Sequence, residues 1–397
     1  MSARVVVLLV DALGWEQVQR CSRLLAALPH RRRVETVLGF SSGALPTLFT
    51  GRSSSEHGRW LMYRRAGRVR PPAGTRPRSP FAGFGLLRLL PPRLRRSWRL
   101  GRLLARLVRA RGVRGYFNLY QVPRPLLAQF DLAERDDIFK PGGLPCDSLW
   151  DTLDRRGVRW RGWDWRTPEE VALNNALACL ASGDERFLFV YTAGLDDLLH
   201  HEGSSGDGVR DRLDRYATWI AEAAGVAARR GETLWLYLLS DHGMVDVHAS
   251  LDVMGALARL PLRWPRDYLA FFDSTMARFW WRTPGAREAV RACLDGLRAG
   301  RWLDDQTLER EGARFPAREY DEDIFLLDPG VLMVPSFMGS APVAAMHGYD
   351  PAHPDMAAAL LSNRPVPESV RRLGDLRAFL EGELEAAGVM AHGPEAA

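Results

Sequence analysis

Apolar runs of strand length, separated by stretches of helical period, predict an α/β chain built on a parallel sheet covered on both faces. Two further observations refine this. Acidic and histidine residues follow several of the runs directly, and one arginine-dense segment interrupts their rhythm. At 397 residues the chain exceeds one unit of roughly 150 residues, so a core with an insertion is expected.

The first run, residues 5–10, is Val-Val-Val-Leu-Leu-Val, too uniformly apolar for a strand with one wet face, and Asp11 ends it. That is too early for a signal-peptide core, and no small-residue cleavage site follows, so the run is read as a buried strand of a cytoplasmic protein. Further strands are expected over 33–37, 187–191, 233–239 and 278–281. Helices are expected over 15–28, 147–156, 168–182, 208–230 and 286–299. A composition of 46% hydrophobic and 26% charged residues with 13 Trp excludes disorder for the bulk of the chain. Arginines break every leucine-rich run well short of the ~18 apolar residues of a membrane span. Cys21, Cys146, Cys179 and Cys293 form no C-x-x-C pair and encode neither a disulfide framework nor a zinc knuckle.

The net charge of +6 is local in origin. Lys140 is the only lysine, a bias that reads as codon usage, but the arginines are unevenly placed: residues 57–130 hold 18 Arg and no Asp or Glu. Within this segment a helix is expected over 93–111, with Arg95, Arg99, Arg102, Arg106 and Arg109 at alternating spacings of four and three, and leucines on another face. Residues 60–142 are therefore read as a basic helical insertion or cap, and residues 1–59 and 143–397 as the core. A basic amphipathic helix suits an anionic membrane surface, here residues 86–114. The commoner case is a surface helix with solvated arginines. No motif accompanies the charge to favour nucleic acid.

Chemistry is expected where strands end, because ligands of open α/β sheets collect at the carboxyl edge. Asp11 alone reads equally as a helix cap. Asp196 and His200 are four apart, which places carboxylate and imidazole on one helical face, a spacing shared by metal clamps and ordinary surface pairs. Asp241 and His242 end an apolar strand, where burial is costly without a compensating cation. His347 sits in a turn-rich segment. Ser41 and Ser42 precede a helix whose N-terminus suits a phosphate, or else they only cap it. Together, three carboxylates and three histidines make two mixed N/O sets suited to Zn²⁺ or a similar ion. Two such ions ~3.5–4 Å apart can clamp an in-line phosphoryl displacement.

In this order the motifs resemble the alkaline-phosphatase superfamily, and within it the type I phosphodiesterase/nucleotide pyrophosphatase family: an Asp after the first strand, a Ser or Thr nucleophile, Asp196-x-x-x-His200-x-x-Gly203, Asp241-His242-Gly243 and a late His347-Gly348. The resemblance runs from Asp11 to Pro351, with 60–142 its least matched part. It implies a three-layer α/β/α core with a mixed, mostly parallel sheet and an inserted Arg-rich cap. It assigns Asp196, His200 and His347 to one metal and Asp11, Asp241 and His242 to the other. It also suggests Ser41 as nucleophile, nine residues before Thr50, with Ser42 as competitor, and His57 as structural. No Asn or Arg maps onto the family's phosphate clamp. A sulfatase is excluded, because Ser41-Ser42-Gly43-Ala44-Leu45 lacks the Pro and Arg of its motif.

The implied activity is hydrolysis of a phosphate ester through a phosphoserine, using two divalent ions, zinc first and manganese or iron as alternatives. The partner is a phosphate-ester small molecule, and the Arg-rich segment is expected to bring positive charge close to the site. Two alternatives stand beside this: a phosphomonoesterase or phosphomutase of the same superfamily, and a noncatalytic anion- or membrane-binding protein acting through the Arg-rich segment.

Overall fold

The computed structural model describes residues 3–67 and 79–391, so residues 70–78 of the Pro/Arg/Gly stretch lie outside the described residues. Ten strands carry the fold: β1 (Arg4–Val10), β2 (His30–Val34), β3 (Trp160–Trp163), β4 (Phe187–Thr192), β5 (Leu234–Leu239), β6 (Tyr268–Phe272), β7 (Met276–Trp281), β8 (Gly300–Leu303), β9 (Asp323–Leu327) and β10 (Ala358–Ser362). The principal helices are α1 (Ser41–Thr50), α2 (Trp98–Ala110), α3 (Leu149–Arg155), α4 (Glu169–Ser182), α5 (Gly194–Glu202), α6 (Asp207–Arg229), α7 (Ala286–Asp295) and α8 (Asp375–Ala386).

The central sheet has the order β2-β10-β5-β1-β4-β3. β1 runs parallel to β4 and β5 along its whole length, and β3 runs parallel to β4. β10 is antiparallel to both β5 and β2. All seven residues of β1 are buried. Successive side chains leave opposite faces of a strand, so Val6, Leu8 and Val10 enter one core while Val5, Val7 and Leu9 enter another. The first core is closed by α4 and α6 through Ala172, Leu173, Leu213 and Ile220. The second is closed by α1, α3 and α8 through Leu45, Phe49, Leu153 and Leu380. The result is the three-layer α/β/α core with a mostly parallel sheet. Because β1, β4 and β5 point the same way, the residues following Val10, Thr192 and Leu239 meet at one edge.

Strand 278–281 belongs elsewhere, in an antiparallel sheet of order β6-β7-β9-β8. β6 and β7 form a hairpin in which Phe272 pairs with Ala277, and so short a link cannot make the crossover that a parallel partner needs. The sheet shares a core with residues of the Arg-rich segment: Phe84, Leu104, Val108 and Phe130 pack with Leu269, Phe271 and Phe279. The strand expected at 33–37 forms at 30–34 instead. His-Arg-Arg-Arg-Val is an edge strand whose charges face water, and it carries no apolar signal. The helices expected over 15–28 and 93–111 are each broken, at Cys21 and at Arg96-Ser97.

Candidate metal centre and pocket

The parallel edge gathers the six ligand-type side chains into two adjoining triads: Asp196, His200 and His347, and Asp11, Asp241 and His242. In each triad the ligand atoms all lie within 4.8 Å of one another. Asp11 leaves β1, Asp241 and His242 follow β5, and α5 carries Asp196 and His200 one turn apart. His347 arrives from the loop before β10. Its ring stacks on His242 with centroids 3.9 Å apart and 14° between planes, and this contact joins the triads.

Both His-Gly pairs have a steric reason. A Cβ on Gly243 would lie 2.0 Å from the Asp355 carbonyl oxygen, so His242 can follow the strand only where that backbone passes close. Gly348 adopts φ +86°, and a Cβ there would sit 2.5 Å from the Phe40 ring.

His242 Nδ1 donates to the Gly243 carbonyl at 3.0 Å, and His200 Nδ1 donates to the Ala345 carbonyl at 2.8 Å. In a neutral ring this leaves the Nε2 lone pair facing inward. His242 Nε2 lies 3.4 Å from both Asp11 Oδ1 and Asp241 Oδ2. Asp196 Oδ1 lies 3.4 Å from His200 Nε2 and 3.6 Å from His347 Nε2. None of these three carboxylate oxygens has a hydrogen-bond partner, although all are buried. Buried lone pairs converging without donors are costly unless a cation lies among them, so the donor set fits a divalent metal in each triad.

The charges point the same way. Burial, then the carboxylates of Asp241 and Asp196, push the Asp11 pKa well above its ordinary value. Burial also raises that of Asp196, but the hydrogen bond from His200 and the surrounding imidazoles outweigh it and hold the group at about 2. Burial, with His242 alongside, keeps His347 neutral by lowering its pKa far below the usual range.

The two serines separate cleanly. Ser41 Oγ lies 2.9 Å from His242 Nε2, at the start of α1. Ser42 Oγ donates to the Trp60 carbonyl at 2.9 Å. His57 is fully buried, with Nε2 3.0 Å from Thr47 Oγ1 and Nδ1 accepting from the Arg59 N–H, and burial drives its pKa down to about 3.

The profile of the type I phosphodiesterase / nucleotide pyrophosphatase family matches residues 5–295, a span that holds five of the six triad residues and both serines. The chain belongs to that family. Its members are phosphoric ester hydrolases, which makes this chain an enzyme of that class. In fold the chain is similar to murine ectonucleotide pyrophosphatase/phosphodiesterase 5, with a TM-score of 0.65 at 14% identity over 99% of this chain and 97% of the other. The human protein of the same name gives the same values. An inactive variant of the murine protein in complex with AMP gives a TM-score of 0.63 at 14% identity, over 100% and 97% of the two chains. Comparison with curated protein sequences finds no match.

In this phosphodiesterase-family chain four of the six triad residues, Asp11, Asp196, His200 and His347, line a cavity of about 280 Å³ together with Ser41. The walls were not legible in the sequence. Tyr63, Tyr116, Tyr120, Phe139, Trp165 and Phe271 line them, with the carboxylates of Glu134 and Asp273. Among the described residues none of those lining the cavity is an Arg or Lys, and the nearest positive charge of the Arg-rich segment stands behind the walls, Arg59 acting on Glu134 and Arg109 lying against Trp165. That segment turns apolar and tyrosyl side chains toward the cavity. Tyr191, another unforeseen residue, donates a short hydrogen bond to Asp11 Oδ2 and so leaves Oδ1 facing His242. A tyrosine at the carboxyl end of an otherwise aliphatic and phenylalanine strand, beside Leu9 in register, was its only signal.

Proposed function

We propose that the protein cleaves a phosphodiester or pyrophosphate bond in two steps through Ser41. The observation that carries this reading is the position of Ser41 Oγ, 2.9 Å from His242 Nε2 at the junction of two convergent triads. Asp196, His200 and His347 would hold one divalent cation and Asp11, Asp241 and His242 the other. When bound, such ions, zinc by the N/O donor set or else manganese or iron, supply Lewis-acid charge that lowers a hydroxyl pKa and steadies a departing oxygen.

The chain's own groups set the geometry. Ser41 stands at the N-terminus of a ten-residue helix, where N–H groups and the helix dipole favour a phosphoryl group. Its Oγ attacks phosphorus, the P–O bond to the leaving group breaks on the opposite side, and phosphoserine forms. Water then attacks phosphorus and returns the serine hydroxyl. Two inversions give net retention. Ser42, committed to the Trp60 carbonyl, keeps its hydroxyl out of the reaction. The aromatic cavity takes the organic group of the ester. Planar or cationic groups suit walls of Tyr, Trp and Phe with two carboxylates, and further phosphates do not. The AMP bound by the murine relative supports a planar occupant.

The test is turnover of nitrophenyl monoester, nitrophenyl diester and nucleotide pyrophosphate substrates, with elemental analysis of the purified enzyme. Ser41→Ala is expected to abolish turnover with metal content kept, while Ser42→Ala stays active. Loss of turnover in Ser42→Ala alone would overturn the choice of nucleophile.

A further inference from the structure

Eight large apolar side chains are exposed among the described residues, and six of them fall in one short stretch: Leu86, Leu89, Leu94, Trp98, Leu103 and Leu107. The same stretch is dense in one charge. Residues 86–114 contain ten Arg and no Asp or Glu. Arg88, Arg93, Arg99, Arg102 and Arg106 are exposed, and none pairs with a carboxylate among the described residues. Helix α2 shows how the two features combine. Leu104 and Val108 face inward and anchor it in the core of the second sheet. Leu103 and Leu107, four apart, lie on the outward side, and Arg99 and Arg102 lean over the Trp98 ring at 5.8 and 5.3 Å.

We propose that this surface, residues 86–107, docks the protein on a membrane rich in anionic phospholipid. The inference does not depend on the reading of the metal centre. Charge complementarity selects the partner. The five exposed arginines without a carboxylate partner among the described residues would repel a second copy of the same face, and they match a negative lipid surface. The interleaved leucines and the interfacial tryptophan then enter the headgroup region, where one side chain can be apolar and its neighbour charged. A nucleic acid would engage the arginines but leave the leucines in water. The docked face also adjoins the pocket. Arg109, near the end of α2, donates to the Val113 and Gly115 carbonyls and lies against Trp165, which lines the cavity.

The experiment is co-sedimentation of the full chain with vesicles of phosphatidylcholine alone or containing about one-third phosphatidylserine. Binding is expected to the anionic vesicles, at least about tenfold tighter than to the neutral ones, and weakening as salt is raised. Arg99→Glu/Arg102→Glu/Arg106→Glu and Leu89→Ser/Trp98→Ser/Leu103→Ser are each expected to lose about tenfold or more of that binding. Both variants alter exposed side chains outside the pocket, so unchanged turnover of a soluble diester certifies their folding. Equal sedimentation with both vesicle types, or none with either, overturns the proposal. So does vesicle binding that the serine variant keeps in full, or a dimer in gel filtration that the serine variant dissolves.

Discussion

The two triads hold the same kinds of donors but are built differently. Asp11, Asp241 and His242 are all fully buried at strand ends, where the sheet fixes their backbone. Asp196 and His200 ride on one turn of α5, and both are partly open to the cavity. The buried triad is preset, and burial, then repulsion from Asp241 and Asp196, raises the Asp11 pKa. The open triad has already compensated its single carboxylate with two imidazoles, which hold Asp196 at about 2. A rigid site with excess negative charge suits a permanent ion. An open site with one carboxylate suits exchange of water and leaving group.

This contrast can be broken by mutation. The largest effect is expected from Asp241→Ala: loss of at least ~10³-fold in kcat together with metal, since a buried charge acting on the reacting centre is removed. Elemental analysis and kinetics read both, and wild-type metal content in the variant would refute the assignment. His200→Ala is expected to cost about 10²-fold and, because the triad is open, to recover partly in excess zinc; Asp241→Ala should not recover. Equal rescue of both would erase the distinction. Tyr191→Phe removes the hydroxyl that orients Asp11, and an effect of about 10–100-fold on metal affinity or activity is expected, measured by competition with a chelator.

Glu134 sharpens the comparison, as a buried carboxylate outside either triad. Its Oε1 accepts the Tyr116 N–H at 2.6 Å, and burial lifts its pKa from 4.5 to about 7. The fold thus holds this proton more tightly than the unfolded chain does. The stability this group contributes is present in full below about pH 4.5, falls as pH rises, and is lost by about pH 7. Glu134→Gln keeps the acceptor and should flatten that decline, by up to about 3 kcal/mol across the window. Asp321, raised by burial to about 7, leaves a residual slope. Unfolding midpoints at several pH values decide it. Smallest of all, Asp197→Ala and His201→Ala should leave turnover within about twofold, because that neighbouring pair on α5 faces solvent.

Much of the buried triad was readable because each of its residues ends an apolar run, and a parallel sheet brings such ends together. Asp196 and His200 were readable from helical spacing only together with the order of the other motifs, since Asp197 and His201 share that spacing and face solvent. The cavity walls were not, since Tyr63, Tyr116 and Phe271 come from separate elements and share no period. The placement of β7 was equally hidden: Arg278 to Trp281 reads as any apolar strand, and only the short link to β6 forces the hairpin. The exposed leucines of α2 look like core positions in sequence, and only the fold reveals which of them lack a cover.

The path of the chain through β10 has one more consequence. This strand slots between β5 and β2, and β2 has no other neighbour in its sheet. A growing polypeptide therefore carries five of the six ligand side chains, and the hydroxyl of Ser41, long before His347 emerges and the gap beside β5 is filled. The triad that needs His347 and the sheet that needs β10 are thus both completed by the same late stretch of chain, residues 347–362.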